Sequence, residues 1–183
     1  GLNKDFSFAN AYCPLDFGGL RACESRVWSF FNKFNKEAGE KYLPYIEAKT
    51  KEPMPLYIKP DNKISVRDIQ WAMRDHYEGT PLDITNDVGA TAYKMPYRLS
   101  PLTFEVNGQK YFNERPISTQ QSAFTFVAQM RSGMPNEVGG VLWFGTDDAN
   151  MMVFTPVYCC TTRQPNCYSG EIADCVTFSW ESA

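Results

Sequence analysis

The 183-residue chain contains a single histidine, His76. That scarcity argues against a multi-histidine metal centre and leaves one imidazole as base for any Cys–His or Ser–His couple. The six cysteines (Cys13, Cys23, Cys159, Cys160, Cys167 and Cys175) include no CxxC pair, so a zinc site has no framework. No GxSxG elbow, HExxH helix or glycine-rich phosphate loop occurs. No apolar run approaches the roughly 20 residues of a membrane span. Basic residues are not in excess: 18 Lys and Arg against 21 Asp and Glu leave a net charge of −3, with no electrostatic pull towards nucleic acid. The opening GLNKDFSFAN lacks the basic-then-apolar pattern of a secretion signal and has no initiator Met, so Gly1 does not look like a natural start.

What is present suffices for one domain with a substantial core: 43% of residues are hydrophobic and 15% aromatic. Leu20, Cys23, Val27, Phe30, Phe31 and Phe34 recur at steps of three and four, which predicts a helix from about 20 to 38 that Gly39 ends. The stretch KYLPYIEAKTKEPMPLYIKPDNK, rich in Pro and Lys, reads as an irregular connection. Ser65 and Asp68 form an approximate capping box opening a second helix, 65 to 78, with Val66, Ile69, Met73 and Tyr77 as its apolar stripe. Gly79 and Pro81 would stop it.

Beyond residue 90 the period changes to two. Asn107-Gly108 between 103–106 and 109–112 is a strong hairpin signal. Residues 119 to 131 read as a strand antiparallel to 138–145, with Phe124 and Phe126 on its buried face. EVGGVLWFG and MMVFTPVYC are further strands, and Val176, Phe178 and Trp180 suggest a last element cut short. Two helices followed by antiparallel strands favour an α+β layer architecture, an antiparallel sheet with flanking helices. A short-range disulfide within Cys159–Cys175 is compatible with an oxidising compartment, and this cysteine-rich tail leans the localisation towards an extracytoplasmic setting.

The cluster RDHYEGT offers two candidate functions. His76 could serve as a base, and Asp75 with Glu78 as an acid/base pair, but neighbouring arginines favour a salt-bridged helix end in which Arg74 pairs with Glu78 at i,i+4. Arg131, at a strand end beside the turn Ser132-Gly133-Met134-Pro135, is placed to hold a carboxylate in bidentate fashion.

The segments MRDHYEGTPLDIT, ISTQQSAFTFVAQMRSGMPNEVGGVLWFGTDD and VFTPVYCC, with ordered landmarks at Gln129, Arg131, Pro135, Trp143 and Pro156 to Tyr158, resemble the C69 family of dipeptidases over most of residues 64 to 180. These are cysteine-type N-terminal nucleophile hydrolases. The resemblance implies a four-layer αββα sandwich and a nucleophilic N-terminal cysteine whose own α-amine acts as base. It also implies a dipeptide or small-peptide substrate, with no cofactor and no metal, and leaves oligomerisation open. One departure is plain: the chain begins at Gly1, and Cys13 is internal and followed by Pro14. The nucleophile is therefore expected upstream, and further helical sequence after Ala183. Residues 1–183 would form a single partial domain, 1–63 a helical and irregular lead-in and 64–180 the matching part. On this reading the chain carries no catalytic residue. Arg131, Gln129 and Trp143 bind or support substrate, and Arg74, Asp75 and Glu78 make a structural ion-pair network. Alternatives are an amidase of the same fold acting on a non-peptide amide, or a non-catalytic binding or assembly module.

Overall fold

The first apolar stripe makes two helices rather than one. In the computed structural model, which describes residues 6, 11–12, 17–98 and 103–163, a π-helical turn Leu20–Glu24 runs into α1, Ser25–Phe34, and α2 spans Lys36–Ile46. The break is Asn35, whose backbone is extended (φ −150°, ψ 106°) and whose side-chain oxygen accepts from the Ala38 amide at 2.7 Å. An N-cap of this kind satisfies an amide that α2 would otherwise leave orphaned. Gly39 does not end the first helix. It is buried within α2, where Trp28 Nε1 donates to its carbonyl at 2.8 Å and a Cβ would fall 1.9 Å from Asn32 Oδ1.

The expected irregular connection is thus helical over its first six residues. Pro44 lies inside α2 and forfeits a backbone bond, but Tyr45 and Ile46 beside it are buried in the core. Their burial offsets the lost bond. The face of α1 that turns inward carries Ser25, Trp28 and Ser29, whereas Val27 is exposed. Trp28, Tyr45 and Ile46 pack with Leu20, Tyr77, Leu82 and Ile84 into one apolar cluster.

The capping box at Ser65 forms in both directions: Ser65 Oγ accepts from the Asp68 amide, and Asp68 Oδ2 accepts from the Ser65 amide at 2.7 Å. The helix it opens, α3, is shorter than expected, Val66–Ala72. Residues 73–84 leave it as a strap that enters the core. The carbonyl of Asp75 accepts from the Ser118 amide and that of His76 from the Ile84 amide, bonds that a continued helix could not make. Tyr77 sits at φ +65°, an unusual conformation for an aromatic residue. Its hydroxyl is held by Ser25 at 2.9 Å and donates to the Arg115 carbonyl at 2.7 Å. Gly79 does adopt a positive φ, but in the strap's turn and not at a helix end.

The strands form where the sequence places them but are shorter: the strand expected over 119–131 runs only Phe124–Met130, and the one expected over 138–145 begins at Gly140. β1 (Thr103–Val106) and β2 (Gln109–Phe112) pair antiparallel about Asn107-Gly108, both at positive φ. β3 (Phe124–Met130), β4 (Gly140–Thr146) and β5 (Thr155–Tyr158) form an antiparallel sheet in the order β3-β4-β5, and the turn from β3 to β4 carries a short helix, α4 (Asn136–Gly139). The architecture is α+β. The buried face of β3 is the opposite of the one expected: Thr125 and Val127 are buried, while Phe124 and Phe126 are 56% and 50% exposed. The register puts Phe126 across from Phe144 and Ala128 across from Leu142, so one sheet face is lined with apolar side chains that α3 does not cover. Val127 and its neighbours face α3. Val127 lies in the wall of the groove beside α3, and Thr125 Oγ1 donates to the Asp147 carbonyl.

Candidate functional site

The charges of RDHYEGT separate because the helix stops at Ala72. Arg74 and Glu78 are no longer successive turns of one face, and the expected Arg74–Glu78 pair does not form. Arg74 Nε donates to the Ala149 carbonyl at 2.8 Å, Nη2 to that of Met152 at 3.4 Å, and the guanidinium lies 5.1 Å from the Phe154 ring centroid. Asp75 is buried and takes two partners from α1: Ser29 Oγ donates to Oδ2 at 2.6 Å, and Lys33 Nζ lies 2.6 Å from Oδ1. The same ammonium stands 4.0 Å above the centroid of Trp71.

Glu78 turns back on His76. Its Oε2 accepts from the His76 amide at 2.7 Å, and its Oε1 lies 2.9 Å from His76 Nδ1. Partial burial alone pushes the Glu78 carboxyl up. The bonds from the His76 ring and amide, and from its own amide, outweigh that and hold it at about 2. The imidazole is buried, edge-on to Tyr97 with centroids 5.9 Å apart, and its Nε2 has no partner among the described residues. Among the described residues His76 therefore makes no couple with a cysteine. Cys23, Cys159 and Cys160 are exposed free thiols.

Two openings adjoin these elements. One, of about 330 Å³, is lined by Lys33, Trp71, Arg74, Asp75, Glu78 and Asn150. The other, a wider groove of about 570 Å³ between α3 and the sheet, has Ile64, Val66, Ile69, Val127, Gln129 and Trp143 in its walls. Gln129 and Trp143 meet across β3 and β4, with Trp143 Nε1 donating to Gln129 Oε1 at 3.2 Å. Arg131 lies just past the end of β3. It donates from Nη2 to the Val138 carbonyl and lies 6.0 Å from the Tyr158 ring centroid, and its Nε is buried without a partner among the described residues.

The structure therefore brings Gln129 and Trp143 together, sets Arg131 beyond them, and gathers Arg74, Asp75 and Glu78 at the far end of β3, beside the loop after β4. Seven residues of strand, at roughly 3.3 Å each, separate the two ends. Sequence reasoning missed Lys33, Trp71 and Asn150. Lys33 and Trp71 sit on helices as ordinary amphipathic residues, and only their meeting over Asp75 singles them out. Asn150 reads as a turn residue, but its Nδ2 donates to Tyr97 Oη at 2.9 Å and its amide is held by Asp148 and Ser118. A second clamp, Arg98 between Asp87 and Glu114, ties the chain before β1 to the exit of β2.

Comparison with known proteins gives one consistent family. The chain matches the model of peptidase family C69 over residues 1–181. It is 27% identical over 145 residues to Dipeptidase A of Lactobacillus helveticus, covering 78% of this chain and 25% of that protein. It is 26% identical over 154 residues to a probable dipeptidase of Salmonella dublin, covering 84% of this chain and 30% of that protein. To probable dipeptidase B of Lactococcus lactis it is 27% identical over 171 residues, 91% of this chain and 31% of that protein. The chain thus spans about a quarter to a third of the length of these relatives. No solved structure matches it significantly.

Proposed function

The chain belongs to peptidase family C69, and we propose on that premise that it is part of a dipeptidase that cleaves small peptides through an N-terminal cysteine lying upstream of these residues. The observation that carries the reading is the family match over residues 1–181 together with three relatives named as dipeptidases. The thiolate attacks the peptide carbonyl, and the leaving amine takes a proton as the C–N bond breaks. Water then hydrolyses the thioester to the acid and regenerates the thiol. A free α-amine suits the base role because its pKa lies near neutrality. Among the described residues His76 Nε2 has no partner, so no described thiol is paired with the imidazole.

The exposed apolar face of β3 and β4 supports the αββα sandwich. Phe124, Phe126, Met130 and Leu142 are the kind of side chains a second sheet would cover, at about 1.5–3 kcal/mol for each one fully buried. For Arg131 we propose a positioning role, since its guanidinium holds the turn between β3 and β4 through the Val138 carbonyl and lies 6.0 Å from the Tyr158 ring centroid. Gln129 and Trp143 wall the groove beside α3.

The test is hydrolysis of a dipeptide panel by a polypeptide carrying these residues behind a processed N-terminal cysteine. Activity that disappears on Cys→Ala at that terminus is the expected result. Equal activity without that cysteine would overturn the mechanism, and activity on N-acyl amides but not on dipeptides would shift the assignment to an amidase.

A further inference from the structure

The cavity of about 330 Å³ at the strap is lined by a set of side chains whose charges are unevenly spent. Lys33 and Asp75 neutralise each other at 2.6 Å, and Ser29 takes the second oxygen of Asp75. Arg74 is committed to the Ala149 and Met152 carbonyls. Glu78 is different. Both its oxygens are anchored by His76, one by the backbone amide and one by the ring. Its carboxylate remains about half exposed, so it is a fixed anion with open lone pairs.

Two further acceptors line the same space. Asn150 lines the cavity, and its Nδ2 donates to Tyr97 Oη at 2.9 Å, which leaves the amide oxygen as the side chain's acceptor. Trp71 is 55% exposed, and its ring already carries one ammonium, that of Lys33, at 4.0 Å. A carboxylate, an amide oxygen and an indole face together suit a primary ammonium, which has three N–H donors and no acceptor. A metal ion fits less well: among the described residues no group of three His, Cys, Asp or Glu side chains could hold one.

We propose that this cavity binds the free α-ammonium group of a short peptide, with Glu78 as its counter-ion and Asn150 and Trp71 completing its shell. That the amine belongs to a peptide rests on the peptidase reading; that the cavity selects an amine does not.

The experiment is calorimetric titration of the intact protein, its thiols blocked with iodoacetamide so that no turnover intervenes. The probes are Ala-Ala, N-acetyl-Ala-Ala and alanine amide. Ala-Ala and alanine amide should bind, and acetylation should weaken Ala-Ala about tenfold or more, because it removes the charge that Glu78 meets. Glu78→Gln should weaken the two free amines by a similar factor and leave the acetylated peptide unchanged. Asn150→Lys, at an exposed position that leaves the fold intact, should abolish the preference for the free amine. Equal affinity of Ala-Ala and its acetyl derivative would overturn the proposal, as would an unchanged preference in Asn150→Lys. Dipeptide hydrolysis is scored separately on unblocked protein. A preference for amines without hydrolysis would sink the peptidase reading alone, and hydrolysis without the preference would sink this site alone.

Discussion

Replacing Lys33 by Met isolates the Asp75 carboxylate. The side chains of this pair are only 10% and 1% exposed, and the Nζ–Oδ1 distance is 2.6 Å. Met preserves the length and apolar stem of Lys, so packing against Trp71 is largely kept while the charge is lost. Asp75 would then be a buried anion with one neutral partner, Ser29 Oγ. Removing one member of a buried ion pair costs about 3–5 kcal/mol. At about 2–4 °C per kcal/mol for a chain of this size, Tm should fall by about 6–20 °C. The double variant Lys33→Met/Asp75→Asn removes both charges, and Asn can still accept from Ser29. It should therefore be more stable than the sum of the single losses by at least about 2 kcal/mol. Urea melts of the four proteins, followed by far-UV circular dichroism, measure the cycle. If Lys33→Met costs under about 1 kcal/mol and the cycle is additive, the pair behaves as a solvated one, and the reading of the strap as a buried electrostatic lock fails.

Three other outcomes follow. Tyr77→Phe should destabilise by about 1–3 kcal/mol, because it leaves the Arg115 carbonyl without its donor and the Ser25 hydroxyl with only the Arg21 carbonyl; a thermal melt reads it. Glu78 has a folded-state pKa lowered to about 2 from an ordinary 4.5, so its contribution is present above pH 4.5 and is lost as pH falls towards 2. Discounted for exposure, that contribution is about 1 kcal/mol, and a Glu78→Gln protein should show a flatter stability profile across the window. Phe126→Thr should cost the chain less than about 1 kcal/mol and raise its solubility, whereas Val127→Ala should cost about 1–3 kcal/mol. The reverse order in urea melts would restore the aromatic face as the one buried within the chain.

The β1–β2 hairpin and the presence of the later strands were legible because the Asn107-Gly108 turn and a two-residue period are local signals. Which face of β3 packs inward was not, since both faces offer apolar residues and the choice depends on what covers each. Hydrophobicity favours Phe124 and Phe126, yet Thr125 and Val127 are the residues buried. The division of the first helix had a readable marker in Asn35, an N-cap residue three positions before the Ala38 amide it accepts from, but the apolar stripe ran across it. The helix over 65 to 78 failed for a tertiary reason. The pattern continues to Tyr77, yet backbone and side-chain bonds from residues 29, 33, 84 and 118 draw Asp75 and His76 out of the helix. Of the site, the charged cluster was visible in the sequence. Its partners were not, because Lys33 and Asn150 are separated from it by 42 and 72 positions respectively when counted from Asp75 to Lys33 and from Glu78 to Asn150 (75 − 33 and 150 − 78).

The strap of residues 73–84 has a consequence for how the protein comes apart. Within a dozen residues it is tied to α1 through Asp75, to the chain after β2 through Tyr77 and the Asp75 carbonyl, and to the loop after β4 through Arg74. Helices and sheet touch a common thread, so neither can open far without releasing bonds of the other. Such a thread makes one cooperative unit of segments that contact each other little directly. The amides of Ser118 and Ile84, which donate to the strap's own carbonyls, should then exchange with deuterium only as the whole unit unfolds, at a rate matching the slowest amides of α1 and β4.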